Sequence, residues 1–457
     1  MYNFSLKPKK VTLVKTKYRI IKTSIPSPET VKIIRGGGRF GVGLPPRQIP
    51  LAWDRAIDFN VFDGAGNKWI DFTSTIFVAN SGHSNKKIKK AIIGQVNDDL
   101  LHAYDYPTDI KNKFAKKLID VTPDFCQKVI LASSGTEVAE CAVLIMRVNG
   151  QLTNKNKIGV LSFLGNMHGV SSVAQTLKGN AKFINVFGFS DPNIHRLPFP
   201  FSWENKKIDW AEKFRSDIKD LVSKGLKIEN LCGVMIEAYQ GWGALFYPKP
   251  YLDELIKFAK INKLLITVDE IQSGFGRTGK LFAFEHYKIK PDLICLGKGL
   301  SSSLPLSAVV GRRDLIDLAE LADVGHSTHS GNALACAAGL ANLEEIESRN
   351  LVGESSRKGE ILFGMLNEIK QKYPQHIAHI NGRGLVAAVL FKKSRTGEPD
   401  GDFASRVCEL AMQKGLLLVH TGRESIKLAP PLTIPDAALK EGVRVFEESV
   451  KETSRII

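Results

Sequence analysis

From about residue 128 onward the chain repeats one device, a short apolar run followed by a stretch with helical spacing. The runs are KVILA (128–132), KIGVLSF (157–163), LCGVMIE (231–237), LLITVDE (264–270), DLICLGK (292–298) and LSAVVGR (306–312); PYLDELIKFAKINK (250–263) is one of the helical stretches between them. Strands that are apolar throughout, rather than at alternate positions, are covered on both faces. Helices between them make crossover connections, so the pattern predicts an α/β fold around a mostly parallel sheet. Beyond about 340 the helices lengthen and the strands reduce to RGLVAAVLF (383–391) and GLLLVH (415–420), before a closing helix, PDAALKEGVRVFEESVKETSRI (435–456). This reads as a smaller α+β C-terminal domain. Ahead of the sheet, FNVFDGAGNKWIDF (59–72) reads as a hairpin turning at Asp63-Gly64, and SNKKIKKAIIGQVNDDLL (84–101) as an amphipathic helix. The expected division is 1–62, a basic arm and segment; 63–340, the large domain; and 341–457, the small one.

In a sheet of this kind, chemistry gathers outside the carboxyl ends of the strands. Three such ends carry suitable residues. After KVILA come Ser133, Ser134, Gly135, Thr136 and Glu137, then a helical stretch. A glycine between hydroxyls at a helix start offers free N–H groups to a phosphate, although a simple N-cap would use the same residues. After LLITV come Asp269 and Glu270. Buried acids there need a cationic partner, either an arginine such as Arg277 or a cationic ligand. After DLICLG comes Lys298. A desolvated lysine at a strand end is a candidate amine nucleophile, and a snorkelling lysine is the alternative. Each signal alone has an ordinary explanation. Together they are the parts that pyridoxal 5′-phosphate requires: an anchor for its phosphate, a carboxylate that keeps its ring nitrogen protonated, and an amine that forms the imine.

The stretch DEIQSGFGRTGKLFAFEHYKIKPDLICLGKGLSSSLPLSAVVG (269–311) resembles the class III aminotransferases, pyridoxal phosphate enzymes of fold type I. The resemblance runs from DGAGNKWIDF (63–72) and NSGHSN (80–85) to KLAPPL (427–432). It implies a central sheet of the seven-stranded type and an aminotransferase in which Lys298 holds the cofactor as a Schiff base. The amino group would pass from an amine or amino acid to a keto acid or aldehyde. It further implies that Ser134, Gly135 and Thr136 hold the phosphate, Asp269 pairs with the ring nitrogen, Gln272 reaches the ring hydroxyl and Ile271 packs on one ring face. Met167 and His168 in FLGNMHG (163–169) occupy the ring-stacking motif, while Glu237 and Gln240 match the strand-end Glu and Gln of the family. Thr328, in HSTHSGN (326–332), matches the threonine that reaches the phosphate of a neighbouring subunit, which implies a homodimer or a dimer of dimers with shared sites.

Departures from the family pattern bear on the cofactor, at Met167, and on the substrate. Met167 stands where the family usually has Tyr or Phe, and Ala238 where it has Pro. Trp242 stands where ornithine and 4-aminobutyrate enzymes carry Glu, and Lys427 where many members carry a carboxylate-binding Arg. A lysine binds a carboxylate as a point charge, without the bidentate fork. Arg423, slightly upstream, is a second candidate for that task. Phe77, Trp242 and Trp53 are candidate pocket walls, with core packing the alternative for Trp53. The changes argue against a standard ornithine, acetylornithine or 4-aminobutyrate aminotransferase. They keep open a lyase, epimerase or aminomutase on the same lysine and aspartate, including one acting on a phosphorylated or phosphonate amine.

The formal net charge is +16, but ten Lys or Arg against one acid, Glu29, fall in residues 1–39, leaving +7 for the remainder. That favours a solvated basic arm over nucleic-acid binding. The six cysteines, Cys126, Cys141, Cys232, Cys295, Cys336 and Cys408, show neither CxxC pairs nor metal-ligand spacing. Buried free thiols in a reducing cytoplasm, with no metal, are expected. No stretch is apolar for long enough to span a bilayer, and no signal peptide is read.

Overall fold

A computed structural model describes residues 4–45, 48–179, 181–203, 208–325 and 327–456. Five short strands open the chain: β1 (Val14–Lys15), β2 (Ile20–Ile21), β3 (Arg55–Ile57), β4 (Asn60–Phe62) and β5 (Lys68–Asp71). Strands β4 and β5 form the expected hairpin, pairing antiparallel across the 63–67 turn. The central sheet follows, made of β6 (Lys128–Ala132), β7 (Gly159–Phe163), β8 (Ile194–Leu197), β9 (Leu231–Glu237), β10 (Leu265–Asp269), β11 (Leu293–Leu296) and β12 (Ser307–Gly311). The last strands are β13 (Ile377–Arg383), β14 (Val386–Phe391), β15 (Leu416–Leu417), β16 (Val419–His420) and β17 (Ser425–Leu428).

The central sheet has seven strands in the order β6-β12-β11-β10-β9-β7-β8. Pairings from β11 through β10, β9 and β7 to β8 are parallel, whereas β12 runs antiparallel to both β6 and β11. Its inner strands are largely apolar because successive residues enter two different cores, whereas the edge strand β8 carries His195 and Arg196 in its middle. Leu265, Leu293 and Cys295 pack with Val138, Cys141 and Ala142 of the helix Gly135–Gln151. Ile266, Val268, Ile294 and Leu296 enter the larger core on the opposite face.

Strands β13, β14, β17 and β16 form the sheet of the C-terminal part. Strand β15 instead leaves that region to pair in parallel with β5. The N-terminal segment is thereby stitched to the C-terminal part, and Trp69 donates its indole N–H to the Met412 carbonyl at 2.7 Å. The expected solvated arm is accordingly corrected in part. Lys9 pairs with Glu409 and Arg19 with Glu441, both at 2.7 Å, because the acidic faces of the helices Gly401–Gln413 and Asp436–Ile456 offer partners that a sequence pattern does not reveal. As folding units, 1–62, 63–340 and 341–457 are a proposal; the first boundary falls inside the β4–β5 hairpin and the second inside the helix Ala333–Ser348.

Arg277 is fully buried. Its guanidinium donates to the carbonyls of Leu385 (3.0 Å) and Pro430 (2.6 Å), to Asn80 Oδ1 (2.6 Å) and to Ser74 Oγ (3.3 Å). These partners lie on segments far apart in the chain, so one side chain joins the 74–80 stretch to the C-terminal part. Arg277→Ala leaves those acceptors unsatisfied around a cavity and is expected to cost on the order of 3–5 kcal/mol. The measurement is the thermal midpoint of unfolding, and a midpoint equal to that of the parent chain contradicts this role.

Candidate active site

Parallel pairing sets three strand ends that carry candidate residues side by side. Asp269 lies opposite Glu237 on β9 and opposite Cys295 on β11, and Lys298 follows Cys295 by three residues. Lys298 has a left-handed backbone (φ 44°) and opens a short 3₁₀ turn, Lys298–Leu300, so the chain leaves the sheet at the lysine itself. Burial lowers its pKa, and the carboxylates of Asp269 and Glu237 act in the opposite direction. An amine held in this way is more often unprotonated than one in water.

Asp269 is 5% exposed. One oxygen accepts the Ile271 N–H at 2.9 Å and the other lies 2.8 Å from His168 Nδ1. The predicted acid pair therefore divides. Asp269 meets His168, whereas Glu270 turns away to accept from Ser273 Oγ (2.5 Å) and the N–H groups of Ala283 (3.0 Å) and Phe284 (2.7 Å). The guanidinium of Arg277 bonds to neither acid. Burial pushes the Glu270 carboxyl up to about 7.

Glu237 accepts the N–H groups of Met167 and Gly241, each at 3.2 Å. Burial pushes its carboxyl up to about 7, with His168 opposing that shift and Asp269 adding to it. Of the Met167–His168 pair, the histidine points inward to Asp269 while Met167 remains 45% exposed.

The start of the helix Gly135–Gln151 combines both readings of its sequence. Ser134 Oγ accepts the Glu137 N–H (3.3 Å), and Glu137 accepts the N–H groups of Ser133 (3.0 Å) and Ser134 (2.6 Å), a capping box. The sequence pattern S-x-x-E announces such a box, and Glu137 was the residue to notice. Among the described residues, no protein acceptor takes the N–H groups of Gly135 and Thr136. They remain directed outward at the positive end of the helix dipole. Close packing surrounds this cradle. A Cβ on Gly135 would lie 3.0 Å from Ile271 Cδ1, and one on Gly169 would lie 2.5 Å from Thr136 Oγ1. The Ile271 side chain also lies 3.3 Å from where a Cβ of Gly297 would stand, so it bridges the cradle and the residue before Lys298.

Gln240 fixes its neighbours. Its amide donates to Leu164 O (2.7 Å) and accepts the Trp242 indole N–H (2.8 Å). The Arg423 guanidinium lies 3.7 Å from the Trp242 ring centroid. Lys427 is 5% exposed and donates to Gly241 O (2.9 Å) and Gln272 Oε1 (3.4 Å), with Nζ 4.5 Å from the Phe77 ring centroid. Phe77 itself is buried, a core residue whose ring faces that amine. Trp53 lies elsewhere, lining a separate cavity with Ile49, Ile76 and Leu418. Thr328 is exposed and borders a cavity of about 650 Å³ with Ser133 and Glu137, beside the capping box. The six cysteines are buried and free. Among the described residues there is no cluster suited to a metal ion, and no helix is long and apolar enough to cross a membrane.

The family model for class III aminotransferases matches residues 44–450. The chain belongs to the class III aminotransferases. A probable 4-aminobutyrate aminotransferase of Bacillus subtilis is 33% identical over 407 residues, covering 86% of this chain and 91% of that protein. A leucine/methionine racemase of Thermococcus litoralis is 30% identical over 414 residues, covering 88% and 91%. Among solved structures, the omega transaminase of Pseudomonas jessenii in complex with PMP superposes with a TM-score of 0.82 at 24% identity, covering 89% of this chain and 94% of that one. Class III aminotransferases use pyridoxal phosphate, and the residues of this member suit it. They provide two outward amide N–H groups for a phosphate, a carboxylate oriented by His168 and a desolvated lysine one strand away.

Asp269→Asn replaces the charge while keeping the contact geometry. Turnover is expected to fall by on the order of 100-fold or more, the scale for losing a group aimed at developing charge. Steady-state kcat of the purified variant checks this, and a kcat within a few-fold of the parent refutes it.

Proposed function

We propose that this chain transfers an amino group from a carboxylate-bearing amine to a keto acid or aldehyde, with Lys298 as the residue that holds the cofactor and moves the substrate proton. The observation that carries the proposal is the placement of a desolvated Lys298 beside Asp269 and Glu237 at adjoining strand ends. Pyridoxal phosphate, when bound, supplies a carbonyl carbon for the amino group and a protonated ring that withdraws electrons. In this reading Asp269 holds a proton on the ring nitrogen, and His168 keeps that carboxylate oriented. Gly135 and Thr136 N–H groups bind the phosphate, with Ser134 capping the helix that presents them. Ile271 covers one ring face, Met167 the other, and Gln272 binds the ring hydroxyl. Glu237 braces the Met167 backbone beside the ring. Lys427 and, at the rim, Arg423 on Trp242 supply positive charge to a substrate carboxylate, with Phe77 as the wall behind Lys427. Thr328 serves the phosphate of a second copy, so the working form is a homodimer at least, and its place is the cytoplasm.

A racemase or epimerase is the second reading, favoured by the similarity to the leucine/methionine racemase. The two separate in an absorbance experiment on the cofactor-loaded protein with a panel of amino acids and no keto acid. An aminotransferase converts the cofactor band once, with one equivalent of carbonyl product. A racemase keeps the band while optical rotation is lost over many turnovers. Lys298→Ala is expected to abolish either activity and leave the unfolding midpoint close to that of the parent. Retained turnover overturns the role given to this lysine.

A further inference from the structure

Lys427 is a second buried amine in the same site, and its surroundings differ from those of an ordinary structural lysine. It sits on β17, with both hydrogen-bond partners uncharged: Gly241 O at 2.9 Å and Gln272 Oε1 at 3.4 Å. Among the described residues no carboxylate lies within ion-pair distance of its Nζ. The Phe77 ring closes one side at 4.5 Å, and Arg277 lies over the same ring at 5.6 Å. A neutral amine has two protons to donate and finds two acceptors here. An ammonium has three, and a charge that no anion meets.

From this geometry we propose that Lys427 is a proton-coupled carboxylate receptor: it is neutral in the free site, and a carboxylate-bearing substrate binds together with one proton, which Lys427 takes up. The inference rests on the aminotransferase reading and adds to it the protonation state of the bound pair. The charged groups facing Nζ are consistent with this behaviour. Burial lowers the Lys427 pKa to about 7, Glu237 at the end of β9 opposes that shift and Lys298 deepens it. Arg277, 5.6 Å from the centroid of the same Phe77 ring, is a further cation in this surrounding. An incoming carboxylate supplies the missing counter-ion and raises the pKa of the amine, so above about pH 7 binding draws a proton from solvent. Below that pH the amine is already charged and no uptake accompanies binding. An arginine at this position cannot switch in this way, because it stays charged throughout.

Valerate, a carboxylate with neither amino nor keto group, is the probe. It is titrated calorimetrically into the cofactor-loaded protein in buffers of different ionisation enthalpy. Proton uptake is expected to rise from near zero at about pH 6 towards one at about pH 8.5, with affinity weakening by up to about tenfold per pH unit above the Lys427 pKa. Lys427→Arg is expected to bind valerate with clearly diminished proton uptake and a flatter pH profile, the remainder being that of the Glu237 carboxyl. Lys427→Met is expected to lose at least about tenfold in affinity at the acidic end while keeping the cofactor absorbance. Arg423→Gln should retain the proton uptake. Undiminished uptake in Lys427→Arg overturns the proposal, as does valerate binding that survives Lys427→Met and fails in Arg423→Gln. Absence of valerate binding to a protein that turns over also overturns it. A chain that takes up no cofactor at all fails the aminotransferase reading instead, which the absorbance spectrum shows before any titration.

Discussion

The guanidinium of Arg277 is a charge placed where water does not reach, and it meets carbonyls, an amide and a hydroxyl instead of an anion. Such a group is stable only while all those dipoles stay in place, which makes it a constraint on every segment that supplies one. Ser74 is among them, and it also donates to Ala429 O at 2.6 Å. It begins a run of four consecutive non-glycine residues, Ser74 to Phe77, with φ between 46° and 70°. Left-handed backbone costs roughly 1–2 kcal/mol per such residue. The turn persists because its first residue is held on both sides, and its last residue, Phe77, is packed beneath Arg277 and Lys427. A structural arginine thus sets the wall against which a site lysine rests.

The electrostatics of the site follow from the same economy of water. Glu237, Asp269 and Lys298 lie at the ends of neighbouring strands, Lys427 reaches the same region of low solvent access from β17 of the other sheet, and the charges there act on Glu237 and on both lysines. Burial raises Glu237 and lowers both lysines, so each of the three is pushed towards its uncharged form. Both carboxylates are held on both oxygens, Asp269 by His168 and the Ile271 N–H, and Glu237 by the N–H groups of Met167 and Gly241.

Much of this was legible in the sequence. Apolar runs without alternation required a sheet covered on both faces, and Leu265 and Ile266 entering opposite cores is the physical content of that pattern. The rule that chemistry collects at strand carboxyl ends selects Gly135, Asp269 and Lys298 from the sequence alone. The partner of Asp269 was not legible. Arg277, eight residues on, was the nearer cation in sequence, but the loop between them carries it to Leu385 and Pro430, while His168 arrives from 101 residues away. The basic arm likewise found acids at Glu409 and Glu441, some 400 residues distant.

By itself, then, the sequence determined the layered α/β architecture, the family and the strand ends at which the candidate site lies, because these depend on local periodicity and short motifs. The tertiary structure alone decided which charges meet: His168 with Asp269, Lys9 with Glu409, and Lys427 with two neutral oxygens and a ring. Charge pairing and burial depend on distances across the fold. No local pattern encodes whether a lysine at the end of one sheet will find an anion or be left without one.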